Sequence, residues 1–501
     1  MESTAIMLKH FAVLFALLAL AAPAAAQENL PYFERLDRCP PWFRTDLLNI
    51  ECGFLHVPED RANPDGGSIR LAVAIYRTGH QDATPYPLVY LAGGPGASSV
   101  GASGGLMGRT FLHFLPFGDV IFFDQRGTGF SEPSLECPEV DLGAAWQLEH
   151  RPALDERVSQ QIEVALLCRD RLREAGVNLA AYTSAANAAD VRDLIQTLGY
   201  EQANLYGGSY GTRLALTTLR DTPEVVRSAI LDATLPVQAN LYAEAGPNVE
   251  RAFHTLFDGC AAETRCGESY PGLEAAFYDL VERLDEQPVT IKIQHPLSGR
   301  VYDVMLDGSA LGTIFFRSLY VTDAIPFLPR MIAAAAAGSY ELLARYAENA
   351  LFAFAGLADG MMYSVQCSDE MTFTSPEMVD DLLENVNPRI GDLVRVEIRS
   401  LVGICAEWGA QPAPPVENQP VASSIPALVL AGEYDPITPP EWGQMAAATL
   451  ENGHFYEFPG LGHGVVAAGR CPLEMALAFV ADPSAAPDSS CIAGMRAPRF
   501  R

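Results

Sequence analysis

The chain has 501 residues, 33 Lys and Arg against 62 Asp and Glu for a formal net charge of −29, and 49% hydrophobic residues. That apolar share fills a large core and excludes a disordered chain, while the surplus negative charge, with no basic cluster to offset it, argues against nucleic acid as a partner. The length suits one large enzyme domain with an insertion, or two to three ordinary domains.

In chain order, Lys9 and His10 precede an apolar run from Phe11 to Ala22, and Ala24-Ala25-Ala26 supplies small residues before Gln27. This is the pattern of a secretory signal over residues 1–26, with Met7 as an alternative start. The apolar run is shorter than the roughly 20 residues a spanning helix needs. No stable membrane insertion is therefore expected, and the mature chain is expected in the periplasm or outside the cell. Export makes disulfides the default for the ten cysteines, none of which has zinc-site spacing. Pairing in sequence order (39–52, 137–168, 260–266, 367–405, 471–491) gives five short closed loops and is the working expectation.

Ile69 to Tyr76 alternates as a half-buried strand does, and the runs Leu88 to Leu91, Val120 to Phe123 and Ala203 to Tyr206 read as buried parallel strands. A helix capped by Thr183 or Ser184, with Val191, Leu194, Ile195 and Leu198 on one face, ends at Gly199. After the strand Ser228 to Asp232 the pattern turns to long amphipathic helices, such as Gly272 to Leu284 and Ala336 to Leu351. The Pro-rich stretch Gln411 to Pro420 follows, and strands resume at Ala427 to Ala431 and His454 to Phe458, with a helix from about Glu441 between them. The simplest architecture is one α/β sheet, over 27–235 and 421–501, interrupted by a helical lid over 236–420.

Gly207-Gly208-Ser209-Tyr210-Gly211 lies between the strand ending at Tyr206 and a helical run, the setting in which a strained turn lifts a serine hydroxyl above a sheet. A serine needs a base, and the base an acid that fixes its tautomer, in the chain order Ser, Asp or Glu, His. Asp435 lies just past the strand ending at Ala431 and is preferred to Glu433 on the same loop. His463, in the glycine-rich loop after a strand, is preferred to His454, which begins one. Backbone N–H groups of Tyr210 and of Gly94, in Gly93-Gly94-Pro95-Gly96, are the candidate oxyanion donors. No metal or organic cofactor is required by this chemistry.

Gly93-Gly94-Pro95-Gly96, Asp124-Gln125-Arg126-Gly127-Thr128-Gly129-Phe130-Ser131 and Gly207-Gly208-Ser209-Tyr210-Gly211-Thr212 together resemble the motif set of the proline iminopeptidase and tripeptidyl aminopeptidase family. Cys52 to Asp60, the insert with Cys260 and Cys266, and Gly432 to Pro439 are similar to its secreted, tripeptidyl-type branch. The resemblance implies an α/β-hydrolase fold with a helical lid and a serine exopeptidase that acts at peptide N-termini. One departure is Ala92, where members often carry His before the double glycine. Peptide substrates with a free ammonium call for carboxylates on the lid, and Asp369 or Glu370, beside Cys367, is the expected anchor. An esterase or small amide hydrolase with the same triad is the alternative reading, and a catalytically inactive binding module a remote one.

Overall fold

A computed structural model describes residues 29–40, 50–150, 152–295, 299–352 and 356–501. The expected leader, 1–26, lies outside the described residues.

Among the described residues, nine strands form one sheet: β1 (Tyr32–Arg35), β2 (Ile50–Pro58), β3 (Ser68–Tyr76), β4 (Leu88–Leu91), β5 (Val120–Phe123), β6 (Ala203–Gly208), β7 (Val226–Asp232), β10 (Ala427–Gly432) and β11 (Gly453–Phe458). A second, antiparallel pair, β8 (Val289–Gln294) and β9 (Val301–Leu306), stands apart. The large sheet has the order β1-β2-β3-β5-β4-β6-β7-β10-β11. Its first four members pair antiparallel and β5 to β11 pair parallel. This mixed sheet, covered by helices and interrupted by a large helical insertion between β7 and β10, is the α/β-hydrolase fold with a lid.

The strands in the middle are short and wholly apolar because both faces are covered. β3 departs from the half-buried expectation for the same reason. Leu71, Val73 and Ile75 enter the core on one face, and the small Ala72 and Ala74 pack under a second cluster on the other. The helix Ser184–Thr197 starts as its sequence reads, with Thr183 Oγ1 accepting the Ala186 N–H and Gly199 at φ 83° after its end. One helix differs from expectation. The run Ala336 to Leu351 is not continuous: Leu328–Ala336 ends, Gly338 turns the chain at φ 87°, and Glu341–Leu351 starts anew. The insertion is also not purely helical, since it contains the β8–β9 pair.

All five disulfides pair in sequence order, as expected. Cys367–Cys405 clamps the π-helical turn Gln366–Glu370 to the long helix Pro388–Trp408 across a separation of 38 residues. Closing a loop of that length stabilises a fold by about 2–4 kcal/mol through the unfolded chain. The double substitution Cys367→Ser/Cys405→Ser is expected to lower unfolding free energy by about that amount, read as a fall in the urea midpoint with a steeper slope from the less compact unfolded chain.

Candidate active site

The C-terminal ends of the parallel strands share one edge of the sheet, and β4, lying between β5 and β6, marks where the strand order reverses. Every candidate catalytic residue follows one of these strands. Ser209 comes directly after β6 at φ 55° and ψ −126°, a left-handed conformation that few side-chain-bearing residues adopt. The turn is tight enough to dictate its glycines. A Cβ on Gly207 would stand 2.3 Å from Gly211 O, and one on Gly211 would stand 2.0 Å from Leu91 O. Ser209 is half-buried, and the buried helix Tyr210–Asp221 begins at the next residue.

The loop after β4 runs against this turn. A Cβ on Gly93 would come within 2.8 Å of Gly208 O and 2.9 Å of Ser209 Cβ, so only glycine fits there. Gly94 follows at φ 109°. The N–H of Tyr210 belongs to the first turn of its helix, where backbone N–H groups have no intrahelical acceptor. Both expected oxyanion donors thus lie on segments that meet at Ser209.

Asp435 and His463 come together from the loops after β10 and β11. His463 Nδ1 and Asp435 Oδ2 are 2.7 Å apart, and the Asp435 side chain is fully buried. The acid is further held by Thr438, whose Oγ1 donates to Oδ2 at 2.7 Å, and by the N–H groups of Thr438 (2.9 Å) and Ile437 (3.0 Å) on Oδ1. Thr438 Oγ1 also lies 3.2 Å from His463 Nδ1. Burial alone would push the Asp435 carboxyl up, but His463 and these donors prevail and hold it below the ordinary carboxylate range. Of the alternatives, Glu433 accepts the Gly460 N–H at 2.7 Å, and His454 is the second residue of β11. Neither is hydrogen-bonded to the pair.

Two further residues act on His463 without having been singled out in the sequence. Asp232, the last residue of β7, is fully buried and accepts the N–H groups of Val465 (2.8 Å) and Val466 (3.0 Å), with Tyr206 donating its hydroxyl to the same carboxylate. A buried anion therefore anchors the histidine loop. From the insertion, the Tyr320 ring packs 4.8 Å from the His463 ring, and Tyr320 O accepts the His463 N–H at 3.2 Å. Burial pulls the imidazole downward, yet Asp435, and behind it Asp232, raise it above its ordinary value.

Asp369 and Glu370 sit elsewhere in the network. Both are buried. Asp369 Oδ2 accepts the Ser184 N–H at 2.9 Å. Glu370 Oε1 lies 2.7 Å from Arg213 Nη1, an ion pair without a well-angled hydrogen bond. Burial pushes Glu370 up to about 7 against the pull of Arg213. The Glu370 carboxylate ties the insertion to the helix behind Ser209 and that of Asp369 ties it to the helix Ser184–Thr197, and the expectation that one of them receives a substrate ammonium gains no support from their placement. The Asp124–Ser131 motif is likewise structural. Asp124 accepts Ser98 Oγ (2.9 Å) and the N–H groups of Val100 (2.9 Å) and Phe130 (2.8 Å), while Gln125 Nε2 donates to Ala92 O at 2.9 Å. The motif fixes the loop that carries Gly93 and Gly94.

A family model described as TAP-like protein matches residues 394–491, and one described as alpha/beta hydrolase fold matches residues 86–265. The serine protease Hip1 of Mycobacterium tuberculosis is 26% identical over 446 residues, covering 83% of this chain and 82% of that protein. The tripeptidyl aminopeptidase of Streptomyces lividans is 29% identical over 212 residues, covering 41% of this chain and 39% of its own length. A solved proline iminopeptidase from Mycobacterium smegmatis aligns with a TM-score of 0.36 and 14% identity, covering 86% of this chain and 98% of that one. The chain is a serine hydrolase of α/β-hydrolase fold, related to TAP-like proteins and serine proteases.

A histidine base must be neutral to act, so a raised imidazole places the acid limb of kcat/KM above about pH 6.5. Asp232→Asn removes a negative charge that favours imidazolium, and the midpoint of that limb is expected to move to lower pH. Thr438→Val removes one hydrogen bond to the acid and is expected to lower kcat about tenfold with the thermal midpoint retained. Steady-state rates across pH check both.

Proposed function

We propose that the protein is an exported serine exopeptidase that hydrolyses peptide bonds near the free N-terminus of peptides, with Ser209, His463 and Asp435 as its triad. The observation that carries this reading is the buried, multiply held Asp435–His463 pair at the same sheet edge as the strained Ser209 turn. The likeness to Hip1, named a serine protease, and to a tripeptidyl aminopeptidase supports peptide over ester as substrate. Five disulfides fit an oxidising compartment.

In this reading Ser209 Oγ attacks the scissile carbonyl carbon as His463 Nε2 accepts its proton. Asp435 stabilises the imidazolium through Nδ1. The carbonyl oxygen, now an oxyanion, takes N–H hydrogen bonds from Tyr210 and Gly94. The C–N bond breaks as the imidazolium returns its proton to the leaving amine, giving the acyl-enzyme. Water then attacks through the same base, releases the N-terminal fragment as its carboxylate and restores the serine hydroxyl.

An esterase would use the same parts, so substrate decides between the two. Mass spectrometry of products from a free-N-terminus peptide library, beside hydrolysis of short acyl esters, is expected to show N-terminal fragments released with a kcat/KM above that for the esters. Ser209→Ala is expected to lose at least about 10³-fold in kcat. Rapid ester turnover with an untouched peptide library overturns the peptidase reading.

A further inference from the structure

The helix Pro388–Trp408 carries one residue that its own pattern does not explain. Ile390, Val394, Leu401, Ile404 and Trp408, spaced four, seven, three and four apart, form its inward stripe, and each is exposed by 6% or less. Glu397 stands in the middle of that stripe, three residues after Val394 and four before Leu401, where the spacing calls for another apolar side chain. It is nevertheless solvent-exposed. It does not gain that exposure on the outer face. Arg399, two residues on and about 200° around the helix, marks that face through its ion pair with the exposed Asp155. Glu397 therefore looks inward into space open to water.

The groups around that space come from the elements packed against the helix. Arg317 is in the helix Gly308–Leu319, Tyr320 follows it, Tyr363 is in the helix Asp359–Val365, and Tyr242 precedes the helix Ala245–Ala262. Glu397 acts electrostatically on all four. Arg317 is turned away to a helix end, donating through Nη1 to Ala350 O at 3.1 Å and Leu351 O at 3.2 Å. Tyr320 joins the space to the triad, since its ring packs on His463 and it feels the charges of both Asp435 and Glu397. The surrounding protein pushes the Glu397 carboxyl above its ordinary range, with Arg317 opposing.

An accessible carboxylate facing inward from the lid is a receptor for an organic cation. The carboxylate supplies charge-assisted hydrogen bonds to it. Resting on the exopeptidase reading, we propose that Glu397 receives the α-ammonium of the bound peptide and so fixes where the chain lies relative to Ser209. This assigns to Glu397 the role that the sequence suggested for Asp369 or Glu370, whose carboxylates are engaged within the protein.

The test compares matched tripeptidyl arylamides with free and N-acetylated termini on the wild type, Glu397→Gln, Glu397→Asp and Glu397→Leu. The Leu variant completes the apolar stripe and keeps the fold, as a retained thermal midpoint shows. In the wild type the free terminus is expected to be preferred. In Glu397→Gln and Glu397→Leu that preference is expected to fall by about 10–100-fold, mainly through KM, with Glu397→Asp intermediate. A wild type that prefers the free terminus and a Gln or Leu variant that keeps the same preference overturn the assignment of Glu397 alone. A wild type that cleaves both forms equally overturns the exopeptidase reading and this inference with it.

Discussion

Ser209 is held at φ 55°, and much of the surrounding architecture keeps it there. A non-glycine residue in such a conformation costs on the order of 1–3 kcal/mol and persists only when its neighbours over-determine it. Three close backbone approaches do so. Gly93 lies against Ser209 itself, Gly207 against Gly211, and Gly211 against Leu91. The first and third require that β4 and β6 be adjacent and parallel, which is the sheet register Leu88–Asn204 through Leu91–Gly207. The helix that follows is buried along nearly its whole length, so it cannot swing out to relieve the turn. The position of the hydroxyl is thus a property of the core, and Asp435 and His463 arrive from strand ends on the same edge of the sheet.

Those strand ends also explain what the sequence made legible and what it did not. Parallel strands leave their loops on one edge, so a glycine turn after one strand, an acid after another and a histidine after a third can be sought from order alone, and of these Asp435 and His463 do meet. The cysteines could be paired because all five bonds close short loops between neighbours in sequence. Asp232 gave no such signal. A polar residue closing an apolar run marks a strand end wherever it occurs, and its work on the His463 loop spans 231 residues or more of chain that only the fold brings together. Thr438 lay in plain view three residues after the acid, where a short turn returns the chain to the carboxylate it left.

The buried partners of the lid acids and the break in the misread helix were both hidden from the sequence. Asp369 and Glu370 look like an exposed pair in sequence, but Glu370 meets Arg213 across 157 positions, and no local pattern foretells a partner so distant. The run of alanines from Ala333 to Ala337 carries high helical propensity across Gly338, yet glycine's freedom at positive φ lets the chain close one helix there and open another. Glu397 was hidden for the opposite reason. A charge on an amphipathic helix reads as the solvent face unless the register of its neighbours is counted, and here the register places it inside.

The insertion is bound to the core at points that bear on the chemistry. Arg213, on the helix behind Ser209, donates to Asp369 O and Glu417 O at 3.0 Å each and pairs with Glu370. Ala358 N donates to Gly96 O at 3.0 Å, beside the oxyanion loop. Arg251 Nη1 donates to Glu433 O at 3.0 Å, and its Nη2 reaches Asp435 O. Buried ion pairs contribute little net stability, because desolvation offsets attraction, but breaking one leaves an uncompensated charge at a cost of about 3–5 kcal/mol. Such contacts fix an arrangement more than they strengthen it. A lid joined in this way to the nucleophile helix, the oxyanion loop and the acid turn would have to break several buried polar contacts to lift as a body.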